Sequence, residues 1–311
     1  MTIFTDSVPL GRLLSCIAWA SLLVSLPGCS FTPMGHVPSA GVVAASEAQG
    51  CELLPDLNRS TLVIFEPSVG RKLTCNEPRS RERFVPASTY KIPHSLIALE
   101  TGVVESEHRK FEWDGRPRGV AAWDDDLSLA EAVPVSAVWV FQTVADRVGQ
   151  NRESEWVNKL EYGNQDVGSR TDLRHFWLAG PLKISAQEQV DFLMRMRSGA
   201  IPASSDAIAR TIALLDISEA EDGSIVYGKT GAMLPIDDEG VLRLDRADLL
   251  PANAERTGWF VGWINRSEGD GGPVYFALNL DLELPDAMNA RTKVAYEVLA
   301  ANGYPVPKPQ P

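Results

Sequence analysis

The 311-residue chain is 44% hydrophobic and 23% charged, with 24 glycines and 21 prolines. That composition gives a core of ordinary size, room for one large domain or two small ones, and no long disorder. Its 29 basic and 41 acidic residues leave a net charge of −12, a surface that repels nucleic-acid backbones and so excludes them as partners.

Residues 1–28 have the pattern of an export signal. A short polar start with Arg12 leads into "LLSCIAWASLLVSLPGCS", an apolar run too short, and too soon followed by Pro27 and Gly28, for a membrane span. "LPGC" at 26–29 resembles a bacterial lipobox, with Cys29 as the lipidated residue tethering the chain to a membrane. Pro27 is unusual there, and cleavage near "PSAG" at 38–41 is the alternative. Either route leads to the periplasm. Residues 29–50 are small, polar and rich in turn formers, and read as a tether. With Cys16 lost and Cys29 lipidated, Cys51 and Cys75 remain as an even pair in an oxidising compartment, which reads as a disulfide; two unrelated free thiols are the alternative. His36, His94, His108 and His175 are scattered without ligand spacing, so no metal is expected.

A globular domain is expected over 51–304, ahead of an extended tail at 305–311. Its first strand is "STLVIFEP" (60–67), a β-branched run ending at Pro67. From 88 to about 215 the pattern is mostly helical; "SAQEQVDFLMRMRSG" (185–199) starts at a capping serine and stops at Gly199. Strands return in "GSIVYGKTGA", "GWFVGWI" and "GPVYFALNLDL", with Trp259 and Trp263 assigned to the core, and a helix over 290–303 closes the domain. This order predicts an α/β fold of the α+β type: an antiparallel sheet flanked by helices, with an inserted helical lobe and a cleft between the two.

The chemistry concentrates in "FVPASTYKIPHSLIALETG" (84–102). Pro86 and Ala87 hold off the helix until Ser88, and Lys91 then projects from the same helical face, within reach of Oγ. The helix N-terminus favours a developing alkoxide, and a lysine buried in apolar surroundings is available as a neutral base. Pro93 is expected to cost a hydrogen bond in the second turn. Taken alone, the pair also reads as a capping serine with a snorkelling lysine. But "VSAVWVF" (135–141) supplies Ser136 and Val138, and "YGKTGA" (227–232) supplies Lys229, Thr230, Gly231 and Ala232. In those, Gly231 leaves room for a substrate backbone, and Lys229 and Thr230 suit a carboxylate. S-x-x-K, S-x-V and K-T-G in that order are far more specific than any one of them.

With those motifs the chain resembles the serine β-lactamases and penicillin-binding proteins, and within them class D, the oxacillinase type. "YGNQD" (162–166), "FWLAGPLKISAQEQVDFL" (176–193) and "FEWDGRPRGVAAWDDDLSL" (111–129) match that class, and the likeness covers roughly residues 60–303. The resemblance implies a β-lactamase/transpeptidase-like fold and hydrolysis of β-lactams through an acyl-enzyme on Ser88. It implies that Lys91 is carboxylated by carbon dioxide and acts as the base, with no other cofactor. Val138 keeps the pocket dry, Trp177 donates to the carbamate, Ser136 relays a proton to the leaving nitrogen, and the N–H groups of Ser88 and Ala232 form the oxyanion hole. Lys229, Thr230 and Arg291 hold the substrate carboxylate, while Tyr162 is a wall of the site without a chemical step. A non-hydrolytic β-lactam sensor and a cell-wall DD-peptidase are the alternatives. The chain departs from the family in "AMLPIDDEGVLRLDRADLLPANAERT" (232–257), a long acidic connection that either reshapes substrate access or is a surface insertion.

Overall fold

The structure, a computed structural model, describes residues 46–252, 256–267, 271–283 and 286–307. The export signal, Cys29 and most of the tether lie outside the described residues. Seven strands form one sheet: β1 (Ser46–Glu47), β2 (Ser60–Glu66), β3 (Arg71–Cys75), β4 (Asp216–Glu219), β5 (Ile225–Ala232), β6 (Thr257–Asn265) and β7 (Val274–Asp281). Their order is β1-β3-β2-β7-β6-β5-β4. Every pair is antiparallel except the two-residue β1, which runs parallel to β3. Pairing thus begins at Ser46, ahead of the Cys51 boundary read from the sequence.

Eight α-helices surround this sheet among the described residues: α1 (Glu77–Arg81), α2 (Lys91–Glu100), α3 (Leu129–Ala132), α4 (Val138–Val148), α5 (Gln150–Lys159), α6 (Ala186–Arg197), α7 (Ser205–Ile212) and α8 (Ala287–Ala301). Successive side chains of a strand point to opposite faces, and both faces here are apolar. Val63, Trp259, Val261, Trp263, Tyr275 and Ala277 pack with α6 and the helical lobe. Leu62, Ile64, Phe260, Ile264, Phe276, Leu278 and Leu280 pack against Val294, Ala295, Val298 and Leu299 of α8. The central strands are therefore sandwiched, and the two tryptophans lie in the core as expected.

Helix α6 starts at Ser185, whose side chain and that of Glu188 cap each other's backbone N–H groups. The region from 88 to 215 is less helical than its pattern suggests. Residues 101–128 are irregular apart from the turn Ala121–Trp123 and a bridge between Phe111 and Leu127. Gly102, Gly115 and Gly119 adopt positive φ there, and Pro117 interrupts any ladder. Pro93 falls in the first turn of α2, where a missing N–H costs little, so the expected loss in a second turn does not arise. A disulfide joins Cys51 to Cys75, at a Cα–Cα distance of 5.5 Å.

Candidate active site

Ser88 belongs to a 3-10 turn, Ala87–Tyr90, that leads directly into α2. The turn is built under strain: Ala87 has φ +49°, a left-handed conformation that costs a non-glycine residue of the order of 1 kcal/mol. The surroundings enforce it. Ala87 donates its N–H to Trp177 O at 2.9 Å, Thr89 Oγ1 donates to Pro86 O at 2.7 Å, and Trp259 Nε1 holds Val85 O at 2.8 Å. Nothing in the sequence around Ala87 announces that backbone.

Strand β5 lies hard against this turn. A Cβ on Gly231 would sit 3.0 Å from Pro86 O and 3.1 Å from Thr89 Cγ2. Close approach of the turn that carries Ser88, rather than of a substrate backbone, accounts for that glycine. Gly258 on β6 makes room for α8 in the same way, because a Cβ there would meet Leu282 Cδ2 at 2.6 Å and Arg291 Cδ at 3.2 Å. Arg291 passes through this gap to donate to Gly231 O, and its Nε donates to Met288 O at 2.9 Å.

Ser88 keeps 8% of its surface exposed and Lys91 keeps none, so the hydroxyl is reachable while the amine is dry. Lys91 Nζ lies 3.0 Å from Ser88 Oγ and 5.0 Å from the centre of the Phe141 ring. Burial, reinforced by the nearby Lys229, pushes the Lys91 amine well below the usual lysine range. An amine whose proton is held this weakly, beside a hydroxyl at the head of a helix, has the arrangement of a base and a nucleophile in contact. Trp177, also fully buried, has an Nε1–H without an acceptor. A buried donor left unmet is costly, so this N–H is free to meet an acceptor that the polypeptide does not supply.

On the facing side, Lys229 is fully buried and donates to Ser136 Oγ at 2.6 Å. Burial lowers its pKa to about 8; Asp216 opposes that shift and Arg291 adds to it. Burial also brings Arg291 down to about 10. Ser136, like Ala87, has positive φ (+58°), at the turn before α4, and Val138 opens that helix.

These groups surround a cavity of about 130 Å³ lined by Ser88, Trp123, Ser136, Val138, Leu178, Thr230, Gly231, Ala232, Leu234, Ile236, Met288 and Arg291. Seven of those twelve were singled out from the sequence. Leu234 and Ile236, in the long connection, were not, and Trp123 was quoted only within its motif; lone apolar residues carry no functional signal. Lys91, Trp177 and Lys229 sit just behind the lining. Tyr162 does not reach the cavity. It is fully buried, edge-on to Tyr90 at 5.6 Å and to Phe192 at 5.0 Å, with its hydroxyl 3.5 Å from Gln189 Oε1, and so belongs to an aromatic layer behind the site instead of its substrate wall. Wider grooves on the outer lobe, one bordered by Arg152, Arg170 and Arg174, hold no such serine–base pair.

Residues 61–300 match the family described as the penicillin binding protein transpeptidase domain. The β-lactamase OXA-48 of Klebsiella pneumoniae is 34% identical over 242 residues, 78% of this chain and 83% of that protein. OXA-10 of Pseudomonas aeruginosa is 33% identical over 264 residues, 85% of this chain and 92% of that protein. Among solved structures, the class D β-lactamase FUS-1 (OXA-85) from Fusobacterium nucleatum superposes with a TM-score of 0.70 at 30% identity, covering 82% of this chain and 98% of its own. The class D YbXI from Nostoc gives 0.72 at 28% identity, covering 83% and 100%. Sequence kinship and fold thus agree with the motif order around Ser88, and the chain belongs to the class D β-lactamases.

Proposed function

We propose that the chain hydrolyses β-lactam antibiotics through an acyl-enzyme on Ser88, with Lys91 carboxylated by carbon dioxide as the base for both halves of the turnover. The single observation that carries this reading is the pairing of Ser88 Oγ with a fully buried Lys91 Nζ at 3.0 Å. In the first half, Oγ gives its proton to the base on Lys91 and attacks the lactam carbonyl carbon, the C–N bond breaks, and that proton returns through Ser136 to the departing nitrogen. The N–H groups of Ser88 and Ala232 stabilise the oxyanion. Lys229, Thr230 and Arg291 hold the substrate carboxylate. Carbon dioxide on the Lys91 amine supplies a base that acylation does not consume. The unmet Nε1–H of Trp177 and the apolar side chain of Val138 suit the hydrogen-bonded, dry pocket such an anion needs. In the second half a water attacks the ester and Ser88 regains its proton, a step that positioned base catalysis speeds by about 10²–10⁴-fold. The Cys51–Cys75 disulfide supports export to an oxidising compartment, the periplasm.

The test is benzylpenicillin turnover by the purified chain, with bicarbonate added or stripped and intact mass followed throughout. The expected result is turnover that falls without bicarbonate, a transient adduct only, and no adduct in Ser88→Ala. A stable single adduct that bicarbonate does not release would instead identify a sensor or penicillin-binding protein, and labelling of Ser88→Ala would remove Ser88 from its role.

A further inference from the structure

Behind the cavity lies a buried polar cluster that the reaction above does not use. Glu153, in the first turn of α5, presents its carboxyl group to two side chains at the start of the nucleophile helix. Tyr90 donates its hydroxyl to Oε2 at 3.0 Å. His94 Nε2 lies 2.8 Å from Oε1, without the alignment of a linear hydrogen bond. All three residues have no exposed surface. A carboxyl group taken wholly out of water is costly even when paired, and an apolar side chain would fill the same space without that cost. The position of the cluster suggests what the carboxyl group does.

The indole of Trp177 packs against both rings that Glu153 contacts, and these two rings also touch each other, with centroids 5.2 Å apart. Tyr90 stacks on it at 6.0 Å and 27°, and His94 meets it edge-on at 5.2 Å and 67°. Phe176 closes a third side at 4.9 Å. His94 also touches Phe141 at 5.5 Å, the ring over which Lys91 Nζ rests, and it follows Lys91 by three residues, on the same face of α2. A single carboxyl group on α5 is thereby linked to the indole and to the lysine pocket. An indole N–H serves a buried anion only if the ring is held in one orientation, because such hydrogen bonds weaken steeply with angle.

We infer that Glu153 is a positioning residue: by holding Tyr90 and His94 it fixes the indole of Trp177, and so sets how tightly carbon dioxide is retained on Lys91. This rests on the carboxylation of Lys91 proposed above. The experiment titrates the full chain with ¹³C-bicarbonate and follows the carbamate carbon by NMR, beside kcat, KM for benzylpenicillin and Tm. Glu153→Met keeps the bulk without the carboxyl group, Glu153→Gln keeps an acceptor for Tyr90, and Tyr90→Phe removes one oxygen while keeping the stacked ring. The bicarbonate needed for half-maximal signal should rise about tenfold in Glu153→Met, about threefold in Tyr90→Phe, the loss of one buried hydrogen bond, and least in Glu153→Gln, which keeps the acceptor. At fixed bicarbonate kcat should fall in step, with KM unchanged. A purely structural cluster would lower Tm and leave half-saturation within twofold of the parent, which overturns the inference. Should Glu153→Met fail to fold, Tyr90→Phe decides the matter by the same criterion. Absence of a carbamate signal from the parent chain would overturn the carboxylation reading itself, and this inference with it.

Discussion

Fully buried beside Arg291 and only partly compensated by Asp216, Lys229 has its pKa lowered to about 8, below the usual lysine range. The sign follows directly. With Lys229 in its proposed role, the ammonium is present below about pH 8 to capture an anionic substrate; as pH rises through that value the charge is lost and capture weakens. The bound substrate's carboxylate would raise the value again, since an opposite charge favours the charged form. The alkaline limb should therefore appear in kcat/KM, which reports the free enzyme, and much less in kcat. Above about pH 8, kcat/KM should fall by up to tenfold per pH unit. Lys229→Arg, which keeps its charge across that range, should flatten the limb. A wild-type kcat/KM level to pH 10 would remove Lys229 from substrate capture.

At the scale of elements, residues 233–243 of the long connection after β5 form a docked wall of the cavity. Leu242 donates its N–H to Arg118 O at 2.9 Å, Gln142 Nε2 donates to Asp237 O at 3.2 Å, and Arg174 Nη1 donates to Asp238 O at 2.7 Å. The carboxylate of Asp238 meets His175, two residues before Trp177. Gly240, at φ +75°, lies where a Cβ would be 2.8 Å from Trp139 Cβ. Together these contacts press the segment onto the lobe and keep Leu234 and Ile236 in the wall of the cavity that Ser88 also lines. Replacing both with alanine should raise KM for benzylpenicillin about tenfold, by loss of apolar contact, with kcat within about threefold of the parent. An unchanged KM would reduce the segment to a surface insertion. The sequence showed that this connection was long and close to the site, but not which way it turned, because its docking uses mostly main-chain groups that any residue could supply. Ser88, Lys91 and Lys229 were legible because their chemistry needs particular side chains at particular spacings. The strained turns at Ala87 and Ser136 were not, since both residues adopt a conformation their type disfavours. Nor was the partnership of Tyr90, His94 and Glu153: in the sequence, Glu153 is one more acidic residue in the first turn of a helix.

For the molecule as a whole, stability and catalysis are anchored at opposite sides of one sheet. The disulfide ties Cys51 to Cys75 at the end of β3, closing a 24-residue separation. Lys229, Thr230 and Gly231 lie on β5, with β2, β7 and β6 in between. Four strand spacings amount to about 19 Å. Cross-linking over that separation restricts the unfolded chain by about 3 kcal/mol. For a domain of this size such a loss lowers Tm by about 10 °C. Both cysteines belong to the buried cluster of Leu54, Leu62, Leu73 and α8, in the core opposite to the one that holds Tyr90, Ile92 and Trp177. Cys51→Ser with Cys75→Ser should therefore lower Tm by about that amount and leave kcat and KM at 25 °C within twofold, read on the same preparation by calorimetry and initial rates. Loss of activity at 25 °C in a variant still folded by circular dichroism would mean that the two faces of the sheet are mechanically coupled, and that α8, which packs beside the disulfide and carries Arg291, transmits the change to the site.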